Sequence, residues 1–449
     1  MKDFFKSIKT YKLIYLGLII HMLYYISAFH TGWFNGLFTG SAIHYCCKGL
    51  DFYQVPDGAY AYWHNGKLTG EKLPDGTRFS QDHPANKNVY HPLFTLIVGT
   101  ILLPFSPEHA FTAWLMLKLA LTISAVCYFI WIFQDSKYIS FAVFVLLAFA
   151  TNYLEIAIAQ FHSVLNAFLL LFLIDLVKRK SVVSNSILSC LTMLVKPIVL
   201  LWTPLLIIKK RSGIALGGLL LFALYTGIFT FDGAANYYID NLREQLLASS
   251  VFGPDQIITL GALIRFDTNL QDVVYQFIRY GTLAGILVLS LRKRFHIVKG
   301  CFLLTVYYLF FYSLVFEYHY TSLAPVIAIC LVCCPEFQTL RSRICVLLTC
   351  LPSAFVFLNI LNIGTKHDSF YGTSVDLLGW RIMVISKVLP VLFLCIFVLS
   401  DDVIALWKRI CKYIQQWRRH VQPVPSHADP ASGFSTHQEH TGVESCTPS

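Results

Sequence analysis

Charged side chains are scarce in this chain: Asp, Glu, Lys and Arg make up 13% of its 449 residues, while 56% are hydrophobic and the mean hydropathy is +0.60. A soluble globular domain needs far more charge to cover its surface, so that class is excluded. The sequence also lacks an internal repeat strong enough to suggest a transporter built from duplicated halves. Its 13 cysteines lack the paired spacing of a zinc motif, and this includes the vicinal Cys46-Cys47 pair. Cys127, Cys190, Cys301, Cys330, Cys333 and Cys334 sit inside apolar runs, where a thiol behaves as a small hydrophobe. Neither a metal nor a cofactor is expected. Nucleic acid is not an expected partner either: the net charge of +10 is divided into short clusters between apolar segments, where membrane orientation signals belong.

What the chain has in abundance is apolar sequence long enough to cross hydrocarbon, roughly 17 to 25 residues per crossing. Such stretches recur throughout, so the first, Leu13 to Ala28, is expected to be a retained span with signal-anchor character and not a cleaved signal peptide. The expected fold class is an all-α polytopic membrane protein. Basic clusters mark its cytoplasmic side: Lys2/Lys6/Lys9/Lys12, Lys178-Arg179-Lys180, Lys209-Lys210-Arg211, Arg292-Lys293-Arg294, Arg341/Arg343, and Lys408-Arg409 with Arg418-Arg419. Each cluster must lie an even number of crossings from the others. Spans at 12–29, 109–133, 138–154, 161–177, 183–194, 197–208, 213–231, 276–291, 298–316, 320–335, 342–362 and 381–400 satisfy that condition. They make about twelve crossings with both termini inside. Pro92 to Phe105 is too short to cross comfortably and breaks the parity if counted, which predicts a re-entrant or interfacial segment. The stretch 183–208 carries a basic cluster at each end and must turn back at Lys196-Pro197. Its two half-spans are tolerable only where other helices or a water-filled cavity satisfy the broken backbone.

This topology gathers the polar residues on the outer side. The longest interruption, Phe29 to His91, forms a large first extracytoplasmic loop that holds Asp51, Asp57, Glu71, Asp75 and Asp82 and ends in Asn88-Val89-Tyr90-His91-Pro92-Leu93-Phe94. Gln160 and His162 open a later span at its outer end. A lysine near hydrocarbon is costly unless paired, so Lys196 faces a cavity or an anion such as a lipid phosphate; the alternative is that it snorkels to the headgroups. Glu317-Tyr318-His319-Tyr320, with Ala324-Pro325, lies between spans that leave almost no loop. Its carboxylate and imidazole suit binding of sugar hydroxyls or proton removal from an acceptor, unless the segment is a polar belt anchored by the two tyrosines. In the stretch from Ser250-Val251-Phe252-Gly253-Pro254 to Arg265, the guanidinium of Arg265 suits bidentate phosphate binding or is a plain outer-side basic residue. Asp175 is close enough to Lys178 and Arg179 to be their structural partner, and the role of Lys118 is open.

Three regions follow: a membrane domain over 1–400, an amphipathic basic helix over 401–420 lying in the cytoplasmic interface, and a tail over 421–449 whose Pro, Ser, His, Gly and Thr leave little to bury, which predicts disorder. In the second region Leu406, Trp407, Ile410, Ile414 and Trp417 recur at helical spacing.

In this order, Gly49-Leu50-Asp51-Phe52-Tyr53, Val89-Tyr90-His91-Pro92-Leu93-Phe94, Gln160, Lys196-Pro197 with Lys209-Lys210-Arg211, and Glu317 with His319 and Pro325 resemble glycosyltransferase family 87. That family is the polyprenyl-phosphate-dependent, mannosyltransferase-like branch of the GT-C superfamily. The resemblance runs over residues 10–400. It implies a GT-C-like helical bundle with an extracytoplasmic site, a polyprenyl-phosphate-linked sugar donor, a lipid or glycan acceptor, and inversion at the anomeric carbon. In that chemistry an acidic or histidine base deprotonates the acceptor while cations stabilise the departing lipid phosphate. Asp51, His319 and Glu317 are the expected catalytic residues. Lys196, Arg265, Gln160, His162, Asp57, Tyr90 and His91 are expected to bind substrate. The family's acidic residue upstream of the Gly-x-x-x-Tyr block is replaced here by Thr39-Gly40-Ser41-Ala42, and its Asn beside Gln160 by His162. Asp51, Asp57 or His319 is then the base, or the chain is a catalytically silent assembly subunit. A transporter or flippase of lipid-linked saccharide is a further alternative, although it would need polar residues across the bilayer and not on one side. The expected location is a bacterial inner membrane.

Overall fold

Backbone in hydrocarbon has no water to bond with and must satisfy itself within a helix, and helices carry nearly all the regular structure here. The computed structural model describes residues 2–38, 49–68, 72–81, 83, 88–179, 181–247, 258–264, 269–312, 315–363, 365–368 and 372–421. The expectations at Cys46-Cys47, Glu71, Asp82, Lys180, Ser250 to Pro254, Arg265 and 422–449 lie outside the described residues.

Helix α1 (Lys2–Ile26) runs into a turn at Ser27–Thr31. The first loop contains a further helix, α2 (Leu50–Asn65), which ends where Gly66 adopts a left-handed φ of 71° and its N–H donates to the Tyr62 carbonyl at 2.8 Å. A residue with a side chain would be strained there. Helix α3 (Pro92–Leu102) opens with Pro92 in its first turn and with His91 Nδ1 accepting from the Leu93 N–H, both normal devices for starting a helix. It crosses α2 at close range: a Cβ on Gly99 would stand 2.5 Å from Ala59 Cβ and 2.8 Å from the Val55 carbonyl oxygen. Then follow α4 (Pro107–Phe133), α5 (Ile139–Ala148), α6 (Thr151–Ala157), α7 (His162–Lys178) and α8 (Val182–Val195). α8 stops at Lys196, whose φ and ψ of −152° and 135° are the extended values that a following proline imposes.

A 3-10 turn at Pro197–Trp202 leads to α9 (Thr203–Ile208), α10 (Ser212–Ile228), α11 (Ala234–Leu247), α12 (Leu260–Ile264), α13 (Asn269–Ser290) and α14 (Ile297–Phe311). A second 3-10 turn, Glu317–Ser322, enters α15 (Leu323–Cys333), and α16 (Leu340–Cys350) and α17 (Phe355–Leu361) follow. An antiparallel hairpin of β1 (Thr365–Asp368) and β2 (Gly372–Val375), with Thr365 opposite Val375, precedes α18 (Leu377–Val421). The hairpin falls between the spans expected at 342–362 and 381–400 and is the only sheet among the described residues.

The described residues up to Asp402 form one compact unit, and those from Val403 to Val421 belong to a second. In the first, α15 is apolar all round and buried from Leu323 to Leu331, the behaviour of a core helix. α10 is one-sided. Ile214, Ala215 and Gly218 are buried, whereas Leu216, Leu220, Leu224 and Ile228 form an exposed stripe at helical spacing, the surface that lipid tails cover. Away from the polar site, Lys299 binds Glu336 and lies 2.7 Å from Asp402 Oδ2, and Arg292 lies 2.7 Å from Asp402 Oδ1. Asp175 accepts from Asn185 at 2.7 Å, while the expected partners Lys178 and Arg179 lie over the rings of Phe133 and Tyr128.

The protein is a helical membrane protein. Among the described residues four helices are long and apolar enough to cross a bilayer, Tyr11–Thr31, Pro107–Phe133, Val273–Ser290 and Leu377–Gln416, or six if the bent pairs α5–α6 (42°) and α16–α17 (57°) each count as one span. Much of the remaining apolar sequence forms shorter helices, including Pro92–Leu102, Val182–Val195 and Pro197–Ile208. Pro92–Leu102 and the break at Lys196-Pro197 match the short segments expected from the sequence.

Candidate functional site

One amide joins four distant segments. Gln160 Oε1 accepts from the Tyr90 hydroxyl at 2.8 Å, and its Nε2 donates to Asp51 Oδ2 and, at 3.2 Å, to the Tyr318 hydroxyl oxygen. The amide thereby uses both its N–H groups and a carbonyl lone pair, so its orientation is set. Each partner is presented by local structure. Asp51 stands in the first turn of α2, Tyr318 lies in the second 3-10 turn, and Tyr90 follows Asn88, whose Oδ1 accepts the Tyr90 N–H at 3.2 Å and whose Nδ2 donates to Thr95 Oγ1 at 3.1 Å.

Beside this hub, Lys196 Nζ lies 3.1 Å from His319 Nε2 and 5.7 Å from the centre of the Tyr318 ring. His319 stacks on Tyr318 at 4.5 Å between ring centres, and His162 packs edge-on to both, 5.1 Å from Tyr318 and 4.8 Å from His319. His162 is buried, and its Nδ1 has no hydrogen-bond partner among the described residues. A carboxylate, an amine, two imidazoles and two phenols thus meet within one region of the bundle.

The hub rests on an ion pair. Lys118 of α4, fully buried, lies 2.8 Å from Glu155 Oε1 of α6 and donates to the Gln160 carbonyl at 2.8 Å. Glu155 in turn accepts from the Ser163 N–H at 3.0 Å and from its hydroxyl. These contacts hold the turn between α6 and α7, in which Ala159 takes a φ of 53°, an uncommon value for a residue with a side chain.

Three expected site residues face other partners. The Glu317 carboxylate accepts from Ser353 N–H at 2.7 Å and Oγ at 3.0 Å and lies 3.6 Å from Lys387, so it ties the second 3-10 turn to the segment before α17 and to α18. Asp57 accepts from Ser80 N–H at 2.7 Å and Oγ at 2.8 Å and pins the loop after α2 onto that helix. Burial pushes the Asp57 carboxyl above the usual carboxylate range, against the two Ser80 hydrogen bonds, which favour the charged form. His91 caps α3, and its Nε2 is 3.0 Å from Thr226 Oγ1.

Sequence reasoning passed over Tyr318 as an interface anchor and did not pair Lys118 with Glu155. The second omission had a signal: two lone charges of opposite sign within apolar sequence are expected to find one another. Among the described residues no cluster of three or more His, Cys, Asp or Glu side chains has the arrangement to hold a metal ion. Comparisons with known protein families, with curated proteins and with solved structures found no match to this chain.

Proposed function

We propose that this protein is a membrane glycosyltransferase that moves a hexose, with mannose the first candidate, from a polyprenyl-phosphate carrier to a lipid or glycan acceptor on the outer side of a bacterial inner membrane. The reading includes a GT-C-like bundle of about twelve crossings, with the short helices supplying the spans beyond those long enough alone. The observation that carries it is the convergence of Asp51, Tyr90, Gln160, His162, Lys196, Tyr318 and His319, whose hydrogen-bonded pairs lie up to 158 positions apart along the chain.

In this reading the Asp51 carboxylate, held by Gln160 and only partly buried, takes the proton of the acceptor hydroxyl. The hydroxyl oxygen attacks the anomeric carbon from the face opposite the phosphate. The carbon–oxygen bond to phosphate breaks with inversion, and Lys196 with His319 receives the departing phosphate oxygens. Tyr318 and Tyr90 line the sugar, and His162 donates or accepts at the sugar or phosphate according to its tautomer. Glu317, Asp57 and Lys118 act as positioning residues through the contacts described above.

The test is incubation of the purified protein with polyprenyl-phosphate hexoses and candidate acceptors, comparing wild type with Asp51→Asn, Lys196→Ala and His319→Ala. Asp51→Asn is expected to lose turnover by about 10²- to 10⁴-fold, the usual contribution of a general base, while still binding donor. Lys196→Ala is expected to lose donor binding. Equal turnover in all three variants and wild type would refute the assignment, and donor binding without turnover in wild type would favour an assembly subunit.

A further inference from the structure

The hydrogen-bond partners of His319 determine the charge on Lys196. The backbone N–H of Phe316 donates to His319 Nδ1 at 3.0 Å. A backbone N–H only donates, so Nδ1 carries a lone pair and the neutral ring holds its proton on Nε2. An imidazolium would set one N–H against another. Nε2–H then points at Lys196 Nζ, 3.1 Å away. An ammonium has no lone pair, so this contact is a hydrogen bond only when Lys196 is an uncharged amine that accepts from the ring.

We infer that Lys196 and His319 form an uncharged amine–imidazole pair in the ligand-free site, and that binding of a phosphodiester-bearing lipid draws one proton from solvent onto Lys196. This rests on the donor class proposed above. The balance is simple. The proton comes from water or buffer and adds to Nζ, and His319 Nε2–H turns from Nζ to a phosphate oxygen. Two groups that occupied one another become two donors to the anion, and no covalent bond other than N–H changes.

The surroundings fit this arrangement. The groups facing the pair are Tyr318 on its own turn, His162 of α7, Tyr308 of α14 at 6.3 Å from the His319 ring, Asp51 of α2 and Glu155 of α6. The Glu155 carboxylate is already taken by Lys118 and Ser163, and the Asp51 carboxylate is engaged by Gln160. An ammonium here would be partly buried and, among the described residues, would have no carboxylate of its own, at a cost that an arriving anion lowers.

Two measurements on the full-length protein in detergent micelles test the inference. The first is calorimetric titration with polyprenyl-phosphate mannose and no acceptor, near pH 8, in two buffers of different ionisation enthalpy. A phosphodiester does not titrate near neutrality, so any proton exchanged belongs to the protein. Uptake of about one proton per bound lipid is expected, with affinity falling about tenfold per pH unit on the alkaline side. In His319→Ala the uptake should drop below the wild-type value, because the ring N–H that favours the uncharged amine is gone and only the site's low polarity still opposes the ammonium. Binding by wild type with no proton exchange overturns the inference. The second is ¹⁵N NMR of histidine-labelled protein, with the His319 signal assigned by its loss in His319→Gln. A neutral ring protonated at Nε2 is expected, and an imidazolium or an Nδ1–H ring overturns the resting pair. Absence of lipid binding in the first measurement would refute the donor assignment and the proton uptake with it, while the second still judges the pair by itself.

Discussion

At the scale of single residues, the candidate site is organised by buried groups that use up their hydrogen-bonding capacity on one another. Lys118 and Glu155 show the principle: both side chains are essentially inaccessible and each satisfies the other. Removing one charge leaves its partner buried and uncompensated, which typically costs about 3 to 5 kcal/mol. Lys118→Met is therefore expected to lose most of its stability in detergent, read as the midpoint of thermal unfolding, and Lys118→Met with Glu155→Gln is expected to recover much of that loss. Recovery in the double variant without recovery of turnover would separate the stabilising role of Lys118 from its hold on the Gln160 carbonyl. Glu317 belongs to the same class. Its position two residues from His319 reads as catalytic in one dimension, yet the 3-10 turn points the two side chains at different neighbours.

At the scale of elements, α2 and the loop behind it present Asp51, and both are held by short-range packing. Gly99 lets α3 approach α2, and Gly99→Val is expected to force the pair apart. An overpacked contact costs about 1 to 3 kcal/mol, and turnover should fall with stability because Asp51 moves with α2. Asp57 gives a second prediction at this scale. Its carboxyl is raised in the folded state, so its contribution to stability is full below the unfolded carboxyl value of about 3.9 and is lost as pH rises through the folded value. Asn retains an acceptor for the Ser80 N–H and a donor for its hydroxyl. Asp57→Asn should therefore keep the loop protected from protease at neutral pH and flatten the acid dependence of that protection. Asp57→Ala should open it. If Asp57→Asn instead abolished turnover with the loop intact, Asp57 would be a substrate ligand after all.

At the scale of the whole molecule, the functional reading requires the polar cluster to open on the side away from the basic clusters. In a background without native cysteines, Asp75→Cys is expected to react with an impermeant thiol reagent added outside intact cells, and Lys210→Cys only after permeabilisation; labelling of both from one side would sink the topology. Composition and apolar run length alone determined that this is a helical membrane protein, because burial of backbone in hydrocarbon leaves no other economical arrangement for such a chain. Run length and the parity of the basic clusters also singled out the break at Lys196-Pro197 and the short segment after His91, and in both places proline acts on its own neighbours. The site was legible only as a set of residue types. Which of them meet was decided by tertiary structure: Gln160 finds Tyr318 across 158 positions and Lys196 finds His319 across 123. Asp57, His91 and Glu317 carry the same chemistry on paper but spend it on Ser80, on Thr226 with the α3 N-terminus, and on Ser353 with Lys387. A side chain's type is a property of one position. Its partner depends on how several helices pack, and that is not written at either end of the contact.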